Sequence, residues 1–166
     1  MNKEQINNTI QAGEIAKKAK AYAREIIKKD MLLLEIAEKI ESKIQELGGE
    51  IAFPVNLSIN EIAAHYTPSH DDETKAHGLL KVDIGVHIDG YIADTAFSMD
   101  LENSEENKKL IQASKDALEN VEKSINIAST LGEIGKIIEE TIESQGFSPI
   151  INLSGHLMEQ YDLHAG

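Results

Sequence analysis

The sequence predicts an α+β fold in which helices cover one face of an antiparallel sheet. Three observations carry this. Two stretches with helical spacing open the chain. The middle loses that period and holds an alternating run, KVDIGVHIDGYIADTAF, around Asp89-Gly90. Helical spacing then returns, before a short β-branched run near the end. Strands gathered in a block between helices, rather than alternating with them, mark α+β.

Roughly Lys3 to Lys29 is rich in Ala, Lys, Glu and Ile, all compatible with helix, with only Gly13 interrupting. A second helix is expected over roughly Met31 to Leu47, where Leu33, Ile36, Ala37, Ile40, Ile44 and Leu47 recur on one side. Asp30 is its expected N-cap and Gly48-Gly49 its stop. Strands are expected between Ile51 and Ser98, with Asp89-Gly90 as a two-residue hairpin turn. Helix returns at about Ser104 to Ile127. Thr130 and Glu133 then form a capping-box pattern opening another helix, closed by Gly146. SPIINLSGH reads as a short strand running into LMEQYDLHAG.

Composition narrows the function. The chain has 166 residues, 41% of them apolar, enough to bury a core and to argue against intrinsic disorder. It has no cysteine, which excludes disulfides, thiolate metal sites and a cysteine nucleophile. A net charge of −13 repels nucleic-acid phosphate and anionic lipid, so neither is an expected partner. The first residues, MNKEQINNTIQAGE, lack the apolar core of a signal peptide, and no run reaches the length of a membrane span. A soluble, cytoplasmic protein is expected.

The hairpin carries the chemistry. With Asp89-Gly90 as the turn, Ile88 faces Tyr91 and Asp83 faces Ala96. Asp83 and Asp94 are then diagonal neighbours on one face, about 7–8 Å apart by Cα. The other face holds Val82, Ile84, Val86, Ile88, Tyr91, Ala93, Thr95 and Phe97, and should lie under the helices. Gly85 and Ala96 leave room on the aspartate side. Two carboxylates this close and partly out of water cost free energy unless neutralised, and a divalent cation does that. Residues alone leave two readings open: a cation site, or two solvated aspartates on an exposed sheet. His156, in Asn152-Leu153-Ser154-Gly155-His156, adds an imidazole, a common companion of carboxylates around transition metals.

Three segments together resemble type 2 methionine aminopeptidases in their archaeal form. They are Phe53-Pro54 with Asn60-Glu61-Ile62-Ala63-Ala64-His65-Tyr66-Thr67-Pro68, then VDIGVHIDGYIADTAF, then NLSGHLMEQYDLHAG. The resemblance implies the pita-bread fold, two pseudo-symmetric αβ halves around a dinuclear metal site. It implies Asp83, Asp94 and His156 as metal ligands, with Asp83 on one ion, Asp94 bridging and His156 on the other. It implies that His65 and His164 act on substrate, His65 contacting the peptide near the scissile bond and His164 stabilising the tetrahedral intermediate. Phe53 would wall the methionine side-chain pocket, beside its plain reading as a core phenylalanine. The reaction would be metal-assisted removal of the N-terminal methionine from nascent proteins, using two ions drawn from Co, Mn, Fe or Zn. The complete protein would be monomeric.

The family also uses two glutamate ligands, for which this chain offers no counterpart; Glu159 stands at neither motif position. The chain is therefore expected to be the N-terminal part, 1–166, of a single pita-bread domain whose C-terminal half is absent, with little or no activity alone. Smaller departures lie at Lys29-Asp30, where relatives often have Pro-Gly, and at Ala76-His77-Gly78, where an acidic turn is usual. A proline-specific aminopeptidase or prolidase on the same fold, and a non-enzymatic pita-bread scaffold, are the competing expectations.

Overall fold

The computed structural model describes residues 1–127 and 129–165. Contacts divide it into two compact units, Met1–Glu102 with the segment from His156, and Asn103–Gly155.

The first unit opens on helix α1, Lys3–Ile26, whose N-terminus is closed by a reciprocal capping box between Asn2 and Gln5. Its inward stripe is mostly alanine (Ala12, Ala16, Ala19 and Ala23, with Ile15), which lets the helix lie close on the sheet. Helix α2, Leu33–Glu46, buries Leu33, Ile36, Ala37, Ile40 and Ile44. Each such large side chain contributes about 1.5–3 kcal/mol by leaving water. The helix ends in a Schellman arrangement: Gly48 at φ 85° donates to Gln45, and Gly49 to Ile44.

Asp30 is not the N-cap of α2. Its backbone sits in the left-handed region at φ 66° and its N–H donates to the Ala76 carbonyl. Leu32 occupies the cap position without a capping side chain. Backbone supplies the missing partner instead, since the Leu33 N–H donates to Thr74 O at 2.9 Å. The tertiary contact with the 74–76 segment thus replaces local capping chemistry.

Strands β1 (Glu50–Ile59), β2 (Leu79–Ile88) and β3 (Tyr91–Asp100) form an antiparallel sheet in that spatial order. The β2–β3 register is the expected one from Ile88↔Tyr91 through Asp83↔Ala96. Asp89 and Gly90 both take positive φ, 49° and 78°, as a type I′ turn requires. Helices α1 and α2 cover one face of this sheet. Val82, Ile84 and Val86 are fully buried there, with Val55 and Leu57 from β1 and Phe97 from β3. At the margin of that face Arg24 lies 4.0 Å over the Phe97 ring and Lys20 donates to Thr95.

The segment 148–156 is not a strand. The Ile-rich run has the composition for one but finds no ladder partner. Pairing begins later, in a second hairpin of β4 (Leu157–Glu159) and β5 (Asp162–Ala165). Gly166, the last residue of the HAG motif, lies outside the described residues.

In the second unit, α3 (Glu105–Ser124) is capped by Ser104 and packs against α4 (Leu131–Glu143). The Thr130–Glu133 capping box forms in both directions, and Gly146 closes α4 at φ 82°. Among the described residues no helix is long and apolar enough to cross a membrane.

Candidate metal centre

The aspartate face of the sheet is built by three devices. The first is the β2–β3 register itself, which places Asp83 and Asp94 on one side and drives their neighbours Val82, Ile84 and Ala93 to the other. With Asp83 opposite Ala96 and Asp94 opposite Gly85, the two carboxyl groups are diagonal neighbours on that side. Burial, then the adjacent charge of Asp94, hold the Asp83 carboxyl above the usual carboxylate value; a hydrogen bond from Asn56 works the other way.

The second device is a bulge in β1. Phe53 pairs with Gly85 and Asn56 with Asp83, so three steps along β1 match two along β2. Pro54, which lacks a ladder donor, lies inside the bulge, and the Val55 N–H is taken by Glu41 of α2 at 3.0 Å. Without the extra residue, Phe53 and Asn56 would point to opposite faces. With it, both join the aspartates. The Phe53 ring lies directly against Gly85, where any side chain would collide with it. The room expected over Gly85 is therefore filled by Phe53, while Ala96 stays exposed.

The third device is the β4–β5 hairpin, docked turn to turn on β2–β3. The Tyr161 N–H donates to Gly90 O at 2.9 Å, and the Tyr161 hydroxyl to Asp89 Oδ1 at 3.1 Å. Gln160 donates to Asp89 O at 2.8 Å. The Tyr161 ring covers the hydrogen face of Gly90, where a Cβ would overlap it. This clamp brings His156 Nε2 to 3.5 Å from Asp94 Oδ2. The His164 ring stands edge-on to His156, 4.6 Å between centroids.

His65 sits on the connection between β1 and β2 in the left-handed region at φ 66°, an uncommon conformation for a residue with a Cβ. Its side chain is near enough to Asp83 to act on that carboxyl electrostatically. The segment is tied to β1 by Leu57 N–H to Tyr66 O at 2.7 Å and by the Thr67 hydroxyl to Asn56 Oδ1 at 2.6 Å. Asp83, Asp94 and Phe53 thus share one face of the sheet, and the docked hairpin brings His156 beside Asp94 with His164 against it. Among the described residues no three acidic or imidazole side chains are already closed into a metal cage. The donor set of two carboxylates and an imidazole suits a divalent ion of the first transition series.

Sequence reading passed over Asn56, Gln160 and Tyr161. Asn56 was reachable only by knowing the bulge. Gln160-Tyr161 carries none of the usual turn residues.

An antiparallel sheet with two covering helices, presenting paired aspartates on its open face with an imidazole beside them, is the framework of the pita-bread fold. Residues 7–166 match the family described as metallopeptidase family M24, Peptidase_M24, and the chain belongs to that family. It is 54% identical over its whole length to a methionine aminopeptidase of Methanocaldococcus jannaschii, covering 56% of that protein. A methionine aminopeptidase of Thermotoga maritima superposes with a TM-score of 0.90 at 24% identity, over all of this chain and 70% of the other. A prolidase of Pyrococcus furiosus gives 0.82 at 22% identity, over 98% of this chain and 49% of the other. The chain spans about half the length of most of the curated relatives it matches, 56% of the first, though 89% of a methionine aminopeptidase of Methanothermus fervidus. Membership in a metallopeptidase family implies divalent metal ions.

Proposed function

We propose that this chain carries the metal-collecting part of a type 2 methionine aminopeptidase. The convergence of Asp83, Asp94 and His156 on one sheet face is the observation that carries the reading. Asp83 and Asp94 would hold the ions, with His156 completing the set from the docked hairpin. Bound divalent ions would supply an activated water and polarise the peptide carbonyl. The chain's own residues do the rest. Phe53, against Gly85, offers an apolar wall for the methionine side chain. His65 contacts the peptide beside the scissile bond. His164, beside His156, donates a hydrogen bond to oxygen as negative charge develops there. Substrates would be nascent proteins bearing an initiator methionine, met in the cytoplasm, and the metal Co, Mn, Fe or Zn.

The M. jannaschii relative supports methionine specificity, as do the segments around His65 and His156. Likeness to a prolidase at 22% identity speaks for the fold alone. Carrying three of the five family ligands, the 166-residue chain should bind Mn(II) weakly and show little or no turnover. Incubating it with Met-Ala-Ser and Ala-Pro peptides plus Co(II) or Mn(II) tests this. Residual cleavage, if measurable, should favour Met-Ala-Ser. Preference for Ala-Pro contradicts the proposal, and robust turnover of Met-Ala-Ser contradicts the expectation that this chain alone is nearly inactive.

A further inference from the structure

Asn56 is 8% exposed and pairs directly with Asp83 across β1 and β2. A primary amide has two different ends, one accepting and one donating. Its orientation is fixed from outside the strand, because the Thr67 hydroxyl donates to Oδ1 at 2.6 Å. The hydroxyl has claimed the oxygen, so the NH₂ end is left for the neighbouring carboxylate. The opposite orientation would set amide oxygen against carboxylate oxygen, two acceptors face to face. The arrangement depends on the β1 bulge, which alone turns Asn56 to the aspartate side.

We propose that Asn56 is a positioning residue for the Asp83 carboxylate and that Thr67 sets the direction in which its amide donates. This rests on the reading that Asp83 holds a cation. Held by Asn56, one carboxylate lone pair is occupied and the group cannot swing, so another is presented toward Asp94. Outer hydrogen bonds of this kind orient metal-binding carboxylates and typically change metal affinity by about 10–100-fold when removed. Thr67 also stands two residues from His65. The same strut therefore ties the segment bearing that histidine to the carboxylate, so that both keep one geometry.

The test is Mn(II) titration of the 166-residue chain and five variants, Asn56→Leu, Thr67→Val, Thr67→Ser, Asp83→Asn and the Asn56→Leu/Thr67→Val double, with metal-free melting temperatures recorded in parallel. Asn56→Leu should weaken Mn(II) binding about tenfold or more. Thr67→Val, nearly isosteric, should weaken it in the same direction, and Thr67→Ser should restore it. The double variant should be no weaker than Asn56→Leu alone, because both act through one contact. Should Asn56→Leu fail to fold, Thr67→Val against Thr67→Ser decides. Wild-type affinity in Asn56→Leu and Thr67→Val, with Asp83→Asn impaired, overturns the positioning role and leaves the cation reading standing. Wild-type affinity in Asp83→Asn, or no Mn(II) binding by the unaltered chain, overturns the cation reading and this inference with it.

Discussion

His156 Nε2 stands 3.5 Å from Asp94 Oδ2, although the two residues belong to different hairpins. That approach is produced at the far ends of the hairpins, where Tyr161 closes over Gly90.

Asp83→Asn should act in opposite directions with and without metal. Burial and the charge of Asp94 oppose ionisation of Asp83, so removing its charge relieves the metal-free chain. Its melting temperature should rise, by about 2 °C or more. Saturating Mn(II), which stabilises the unaltered chain by mass action, should stabilise the variant far less. Calorimetry in EDTA and in Mn(II) measures both; a drop in the EDTA midpoint would contradict the account.

Tyr161→Ala should loosen the second hairpin without unfolding the first. It removes the ring over Gly90 and the hydroxyl bond to Asp89. Amide hydrogen exchange in 157–165 should quicken about tenfold or more, while Val82 and Ile84 in the sheet keep their protection. Equal protection of β4 and β5 in both proteins would show that the clamp is not what holds His156.

The helices and the β2–β3 hairpin were legible because local chemistry and tertiary packing agree there. Helical spacing marked α1 and α2, and Asp89-Gly90 fixed a register that put Asp83 beside Asp94. The rest depends on contacts distant in sequence. Asp30 looked like a cap, but the Thr74 and Ala76 backbone took that part. Ile150 and Ile151 looked like a strand, yet the pairing residues begin at Leu157. Tyr161 turns the second hairpin at φ 59° because Gly90 and Asp89 hold it, which no local propensity announces. Phe53 and Asn56 share a face only through a bulge at Pro54-Val55.

Gly85→Ala should be costly for its size. The added methyl meets the Phe53 ring, which must leave the sheet or push β1 away. Overpacking of this kind costs about 1–3 kcal/mol. Urea unfolding should show that loss, and pairing the change with Phe53→Leu should recover part of it. An unchanged midpoint in Gly85→Ala would mean that the ring does not rest there.

Stability should also carry a pH signature from Asp72. Hydrogen bonds from Thr74, side chain and backbone, and then from the Tyr66 hydroxyl lower its carboxyl below the ordinary 3.8. A carboxyl lowered by folding favours the folded state wherever it is ionised. Its contribution is full above the ordinary value and lost as pH falls through the lower, folded one. Asp72→Asn should therefore be less stable than the unaltered chain at pH 7, with the gap closing as pH falls below the ordinary 3.8. A gap that persists undiminished at pH 2 would rule out ionisation of Asp72 as its origin.

The central claim is that Asp83, Asp94 and His156 hold one divalent-metal site. Zn(II) titration of the ¹⁵N-histidine-labelled chain, followed by imidazole nitrogen resonances, tests it most directly. The account predicts a saturable shift of His156, smaller changes at His164 beside it, and loss of both effects in Asp94→Asn. A His156 resonance that does not move, or moves equally in Asp94→Asn, would contradict it.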